Sequence, residues 1–294
     1  MNNKGFGLIE LMISIVITSI VCVGLYSVLT SSVLSFGMSS AGNNATGSAY
    51  RVNVSLNNYL FQAGFVNYRR SLAYFNWENV ESNISDTNTT LDDNKNFPSK
   101  AAVIGGRSKD TLATFGDTIK IRFTGASISD DMSSYTDKDA EYVNGYIFDC
   151  NSSAVPSTVI LEMQFYVDGD GLKCKQSALT DKDNIYKDDK LKPVLIDPSV
   201  KMLVLRYSIN NLDDADKTKA NSYVSYDKIS NDSWQYVDNV QFGFVTSQDT
   251  KQKMVKVKND LQLPILDTEF TVPKGDSNLH RVITGNVALV NVAD

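Results

Sequence analysis

The fold of this chain is decided by residues 4–20, KGFGLIELMISIVITSI. They contain a single acidic residue, Glu10, and no further charged side chain occurs before Arg51. As a helix, the 19 residues from Leu11 to Leu29 would extend about 28 Å, close to the thickness of the hydrocarbon core of a bilayer. The segment therefore predicts a membrane-spanning helix with an unexplained carboxylate at its entrance.

The composition of the whole chain limits the function classes. The chain has 294 residues, enough for one large domain or two small ones, and a net charge of -6. Its Lys and Arg residues are scattered and form no basic stripe, so we expect no nucleic-acid partner. Proline is scarce, with 6 residues, and polar turn residues are common, which favours a folded β-rich body with polar loops.

Three ordinary membrane signals fit the N-terminus poorly. A cleaved secretory signal usually has an apolar region of only about 7–15 residues, and an acidic residue rarely opens it. A lipoprotein signal at Cys22 would need a small residue before it, where the chain has Val21. A plain signal anchor leaves Glu10 unexplained. Because Lys4 precedes the span, the short N-terminus is expected to stay in the cytoplasm while the body is translocated.

The octapeptide KGFGLIEL, residues 4–11, resembles the signal of type IV prepilins. That signal is a short basic leader, a glycine, an aromatic residue, and a glutamate four residues after the aromatic. In the family, a membrane peptidase cuts after the glycine and methylates the new N-terminus. The resemblance therefore implies cleavage after Gly5, N-methylation at Phe6, and a role for Glu10 as the family's acidic residue.

A physical role for Glu10 follows from this cleavage. A carboxylate in a bilayer costs a few kcal/mol, so we expect it to be functional and paired. Cleavage would create an amine at Phe6, and the carboxylate of Glu10 in one subunit could pair with the Phe6 amine of its neighbour. Such a pair would draw the incoming subunit out of the lipid and set its axial position. The alternative is that Glu10 extends to the membrane surface without a partner.

Small residues recur every four positions within the span, at Ser14, Thr18 and Cys22. Such a face would let helices approach closely in lipid, although small residues can also simply be tolerated there. We predict that Cys22 is an inert, buried thiol.

The helix is expected to continue beyond the span, with weak points at its glycines. Residues 48–65, SAYRVNVSLNNYLFQAGF, carry apolar side chains at helical spacing, namely Val52, Leu56, Tyr59, Leu60 and Ala63. This pattern needs a body to pack on. Together with the leader and the filament core that the resemblance implies, this predicts four segments: a leader at 1–5, a membrane and filament-core helix at 6–30, an amphipathic continuation at 31–66, and a β-rich periplasmic or extracellular head at 67–294.

The rest of the chain predicts strands. After a polar loop at 77–100, seven runs are rich in Val, Ile, Phe, Tyr and Thr and are bounded by turn residues. They are TIKIRF at 118, VNGYIFDC at 143, TVILEMQFYV at 158, VKMLVLRYSI at 200, VDNVQFGFVTS at 237, ILDTEFTV at 265 and HRVITGNVALVNV at 280. No parallel βαβ pattern is visible. The predicted fold class is α+β, a long pilin helix packed on an antiparallel sheet.

Residues 56–65, LNNYLFQAGF, are similar to the signature that follows the span in the PilW family of minor pilins. Later blocks resemble that family in the same order, although Asn57 and Asn58 replace an expected charged pair. The resemblance implies a minor pilin that helps to start or cap a type IV pilus; the alternative is a minor pseudopilin of a type II secretion system. The implied partners are the prepilin peptidase, other minor pilins, the major pilin and the inner membrane, and the implied final location is the pilus tip.

The two cysteines of the body, Cys150 and Cys174, are too few for a zinc site, because His280 is the only histidine. A disulfide fits them better and would indicate an oxidising compartment; two separate buried thiols are the alternative.

The remaining polar motifs predict turns and packing. Residues 168–171, DGDG, are either half of a calcium loop or a tight hairpin turn, and the hairpin is favoured because further oxygen ligands are missing. NLDDADK at 211 predicts a solvated turn, and His280 is expected to pack on or cap a strand. No nucleophile, acid–base or phosphate motif can be assembled, so we expect neither an enzyme nor a cofactor or metal.

Overall fold

The computed structural model describes residues 7–65, 101–107, 115–125, 147–155, 159–180, 186, 192–209, 222–250 and 256–290. Within these ranges a single long helix is followed by ten strands in antiparallel sheets. This confirms the predicted α+β fold. The predicted cleavage site, the polar loop at 77–100 and the NLDDADK turn all lie outside the described residues.

The strands after the helix, here called the head, form three sheets. The first has the order β1-β2-β3-β4-β5, the second β10-β7-β6, and the third is the hairpin β8-β9. The strands are β1 (Val103–Arg107), β2 (Asp117–Thr124), β3 (Ile160–Asp168), β4 (Gly171–Thr180), β5 (Val194–Asp197), β6 (Val200–Ile209), β7 (Val237–Gln248), β8 (Leu261–Ile265), β9 (Thr268–Val272) and β10 (Leu279–Ala288). Two short 3-10 helices, Tyr226–Lys228 and Asn231–Tyr236, precede β7.

The helix α1 (Leu8–Phe61) runs unbroken for 54 residues, through the glycines that were expected to weaken it. Residues Leu8 to Val33, here called the bare half, are all exposed, and the helix becomes buried only from Ala41 onward. From there it packs on β5, β7 and β10. The predicted apolar face is confirmed in that half, with Val52, Leu56, Leu60 and Ala63 buried and Tyr59 partly buried.

The main core lies between the second half of α1 and the inner faces of the two larger sheets. Its largest fully buried side chains are aromatic, namely Phe123, Phe165, Tyr207, Phe242 and Phe244. A second, small core lies on the other face of the three-stranded sheet, where the β8-β9 hairpin covers Met202, Val204 and Val245 with Ile265. Residues of β6 therefore alternate between two apolar environments, which explains its nearly continuous apolar sequence.

Two strand predictions were wrong. ILDTEFTV was predicted as one strand, but the chain turns back at Leu266 and Asp267 to form the β8-β9 hairpin. Leu266 has a φ of 53°, a left-handed value that leucine rarely adopts, so the sequence gives no turn signal there. In VNGYIFDC, the described residues 147–150 begin a tight turn, with an isolated bridge between Phe148 and Ala154, and form no strand.

A disulfide joins Cys150 to Cys174, as predicted, with the two Cα atoms 5.7 Å apart. Cys150 ends the run VNGYIFDC, which was predicted as a strand, but it lies in the tight turn that follows residue 148, and Cys174 lies inside β4. The disulfide therefore ties this turn to the middle of a sheet.

The DGDG motif forms the tight β3-β4 hairpin that the sequence favoured. Gly171 has a φ of 132°, and a Cβ built there would lie 2.4 Å from the carbonyl oxygen of Asp197. Only glycine permits both this backbone conformation and this close approach, so the hairpin abuts the β5-β6 turn.

Candidate functional site

The start of α1 carries the candidate site. Gly7 is the N-cap, and its backbone N–H donates to Oε2 of Glu10 at 3.2 Å. This bond satisfies one of the free N–H groups of the first turn and places a negative charge at the positive end of the helix. Glu10 thus has a partner within its own chain, which sequence reasoning missed although a glutamate three residues after an N-cap is a known signal.

The predicted cleavage site lies outside the described residues. Gly5 and Phe6 are both in that part of the chain, so cleavage, methylation and the charge pair of Phe6 with a neighbour's Glu10 stay predictions. The exposed position of Glu10 leaves its carboxylate accessible to a second subunit.

Four hydroxyl groups in the first half of the helix bond to the helix itself. Ser14 donates to the carbonyl oxygen of Glu10 at 2.8 Å, and Thr18 donates to that of Ser14 at 2.7 Å. Ser19 and Thr30 make similar bonds one turn back. These side chains therefore need no partner from outside, which suits an apolar environment.

The first half of α1 exposes an unusual apolar surface. Every residue from Gly7 to Val33 is exposed, and no described part of the head reaches them. Cys22, predicted to be buried, is exposed here for that reason. By length and composition this helix could cross a membrane. An apolar surface of this size on an isolated chain marks a contact with lipid or with other proteins.

The motif at the helix start is shared with a known family. Residues 1–26 match the family described as the prokaryotic N-terminal methylation motif. The methylation motif covers the octapeptide at 4–11 and most of the predicted span. Together with a long helix packed on antiparallel sheets, it supports a type IV pilin-like protein with a structural role. It also implies processing by a prepilin peptidase and assembly with other pilins.

Beyond the methylation motif, the chain has no similarity to a known protein that would establish its role. No curated protein matches the chain. Among solved structures, a type IV-like pilin from Thermus thermophilus aligns at 12% identity with a TM-score of 0.37, over 66% of this chain and 84% of that one. A likeness of this size establishes neither the fold nor the role of the neighbour for this chain.

Lys173 engages both carboxylates of the DGDG hairpin. Its ammonium lies 2.8 Å from Oδ2 of Asp168 and 2.6 Å from Oδ2 of Asp170. The hydrogen bond to Asp168, followed by that to Asp170, raises the pKa of Lys173, and the same lysine lowers the pKa of Asp170. The ammonium group of Lys173 therefore bridges the two carboxylates of the turn.

His280 packs as the sequence predicted. Its ring lies 5.8 Å from that of Phe270, and Nε2 lies 3.1 Å from Oδ2 of Asp276. Among the described residues, no three His, Cys, Asp or Glu side chains come together as metal ligands.

A polar cavity of about 320 Å³ lies between the sheets, beside Arg206. The guanidinium pairs with Asp117 at 3.2 Å and also with Asp267 at the tip of the β8-β9 hairpin. Burial raises the pKa of Asp117. The ion pairs of Arg206 therefore join β6 to β2 and to the β8-β9 hairpin at the edge of this cavity.

Proposed function

We propose that this chain is a minor pilin of the PilW type, which helps to start or cap a type IV pilus. The observation that carries the proposal is the division of α1. Its first half bears the methylation motif and is bare, whereas its second half is packed into a folded head. A helix of this kind anchors the head at the membrane surface, and its apolar first half can pack against other helices.

The assembly step proposed here depends on cleavage after Gly5. The new, methylated amine of Phe6 would lie close to the first turn of α1, where Glu10 is exposed. On docking, the Glu10 carboxylate of one subunit exchanges its weak bond to Gly7 for the charged amine of its neighbour. A charged pair in an apolar bundle is stronger than a bond to a neutral donor, so the exchange favours the correctly placed subunit.

Before assembly, the chain is proposed to cross the inner membrane once, with its head in the periplasm. The disulfide is consistent with an oxidising compartment. The proposed partners are the prepilin peptidase, the major pilin and other minor pilins.

Processing tests the proposal directly. Intact-mass measurement on membrane fractions should find a mature chain that begins at N-methyl-Phe6. The matched control is the same measurement in cells without the prepilin peptidase, where Met1 should be retained. A mature start near Gly42, or a chain with Met1 in cells that have the peptidase, contradicts the proposal.

A deletion strain separates the pilus from a type II secretion system. Loss of twitching or DNA uptake with normal enzyme secretion supports a pilus subunit. Loss of enzyme secretion alone would instead assign the chain to the minor pseudopilins, which share the leader and the helix.

A further inference from the structure

The buried face of α1 specifies its own position on the head only weakly. Small and aliphatic side chains repeat along it every three or four residues, as Ala41, Ala45, Ala49, Val52, Leu56 and Leu60. A shift of about one turn would place Ala49 in the site of Ala45 and Leu60 in the site of Leu56. Since most apolar contacts would survive, they discriminate poorly between neighbouring registers.

Two buried polar side chains interrupt this face. Ser48 is 1% exposed and Gln62 is 4% exposed, and about 21 Å of helix separates them. Ser48 lies near the N-terminal end of the buried part of α1, and Gln62 is the C-cap of the helix. Each bonds to a fixed group of the head.

The first contact is with the turn between β5 and β6. The Ser48 hydroxyl donates to Oδ2 of Asp197 at 2.6 Å and lies 2.7 Å from the hydroxyl of Ser199. Asp197 is 3% exposed, and its Oδ1 accepts the backbone N–H of Ser199 at 2.8 Å. Arg51, one turn further along α1, brings its guanidinium within 3.5 Å of the same carboxylate.

The second contact is with the turn that holds the disulfide. The amide of Gln62 donates to the carbonyl oxygen of Phe148 at 3.3 Å and accepts the N–H of that residue at 2.5 Å. The neighbouring Cys150 is bonded covalently to Cys174, and its N–H donates to the buried Gln176 at 2.8 Å. The backbone of Phe148 that Gln62 contacts therefore lies two residues from a point that is bonded covalently to β4.

We infer that Ser48 and Gln62 set the axial and rotational register of α1 on the head. A shift in one direction brings Val52 opposite Asp197, so that Oδ2 of this buried carboxylate loses the hydroxyl donor that Ser48 supplies, while Oδ1 keeps its bonds from Ser199. A shift in the other direction places Ser48 in the apolar site of Val52. Losing the partners of buried polar groups costs more than exchanging one aliphatic side chain for another. The height of the bare half above the head is fixed in this way, whichever assembly the chain joins.

Cysteine cross-linking can measure this register. Thr46 of α1 contacts Arg281 of β10. In the full chain with Cys22→Ser, a short bismaleimide should cross-link the pair Thr46→Cys and Arg281→Cys when the helix is in its native register. The pairs Gly42→Cys with Arg281→Cys and Tyr50→Cys with Arg281→Cys report shifts of one turn in either direction. With Ser48 and Gln62 present, only the first pair should cross-link efficiently.

The test variant is Ser48→Ala with Gln62→Leu, and the matched control is Ser40→Ala, on the exposed face of the same helix. Each lost contact should raise the shifted population about tenfold, so a shifted pair becomes comparable with the native pair. Cross-linking equal to that of the control would overturn the inference. If the double variant does not fold, Ser48→Ala is scored in the same way, and Ser48→Thr should restore the native pair. Loss of all three cross-links in Ser48→Ala, with the disulfide intact, would also overturn it, because the helix would then have detached.

Discussion

At the scale of single residues, the carboxylate of Glu10 has one observed partner and one that we propose. In the isolated chain it caps its own helix by accepting the N–H of Gly7. In an assembled bundle it would meet the cleaved amine of a neighbour. The first bond is exposed and its donor is a neutral N–H group, so it is weak enough to be replaced by a bond to a charged amine.

We expect Glu10→Ala to leave the protein cleaved and membrane-bound but absent from sheared pili, because the cut depends on Gly5 whereas assembly depends on the charge. Quantitative blotting of sheared and membrane fractions measures this. Glu10→Gln is the matched control for size, and it should fail in the same way. Wild-type amounts of either variant in sheared pili would show that the pair has no role in assembly.

Asp267 provides a pH-dependent contact at the same scale. Its hydrogen bond with Arg206 lowers its pKa below the usual range for an aspartate. A lowered pKa in the folded state adds stability at neutral pH, and this stability is lost as the pH falls through the folded value, below about pH 4. Because the Asp267 side chain is 65% exposed, the contribution should not exceed about 1 kcal/mol.

Thermal unfolding of wild type and Asp267→Asn between pH 6 and pH 2.5 measures this contribution. The variant should be less stable at pH 6, and the difference should shrink toward zero in acid. Glu269→Gln, an exposed change on the same hairpin, is the control and should show no such convergence. A difference that is constant with pH would exclude the ion pair as its cause.

At the scale of elements, the pattern of apolar residues predicted the long helix and the long strands. The helix and the strands β6 and β7 were found where their patterns begin. Strand β1 was missed because VIGGR has two glycines and no alternation, and β5 because it has only 4 residues. The β8-β9 turn was missed because Leu266 is held in its conformation by packing rather than by local preference.

The same limit applies to the candidate site. The motif around Glu10 could be read from the sequence because its residues are adjacent. The contacts of Ser48 and Gln62 could not, because their partners lie 149 and 86 residues away.

The disulfide is an element-scale link with a measurable effect on stability. Its cysteines are 24 positions apart, and closing such a loop is worth about 3.5 kcal/mol in the chain-entropy model. Chemical denaturation of Cys150→Ser with Cys174→Ser should show a loss of this size, whereas Cys22→Ser should show almost none. Alkylation of the unreduced, denatured protein should modify Cys22 alone. Three reactive thiols would contradict the bond.

At the scale of the whole molecule, the size of the head argues for a position at the filament end. A head at 67–294 would have a radius of gyration of about 17 Å. Helices in a filament core can approach to about 8–10 Å, so heads of this size would crowd one another if every core helix carried one. At the tip no layer lies above, and the first subunit could present Glu10 and Phe6 to later ones.

Immunogold labelling of sheared pili tests this position. We expect sparse label at one end of each filament. Labelling of the major pilin on the same grids is the control and should be continuous. Dense, regular label of this chain along the shaft would contradict a tip location.

Four hydroxyl groups of the bare half affect how easily this helix could move between a lipid and a protein environment. Ser14, Thr18, Ser19 and Thr30 carry their hydrogen-bond acceptors with them, since each acceptor is a carbonyl of the preceding turn. When the helix leaves one apolar surrounding for another, these groups break no bond and form none. The free energy of transfer is then governed by side-chain packing and by the one carboxylate at the end. These hydroxyl groups therefore oppose transfer in neither direction, and the helix can leave the bilayer or re-enter it without exposing them unpaired to an apolar surrounding.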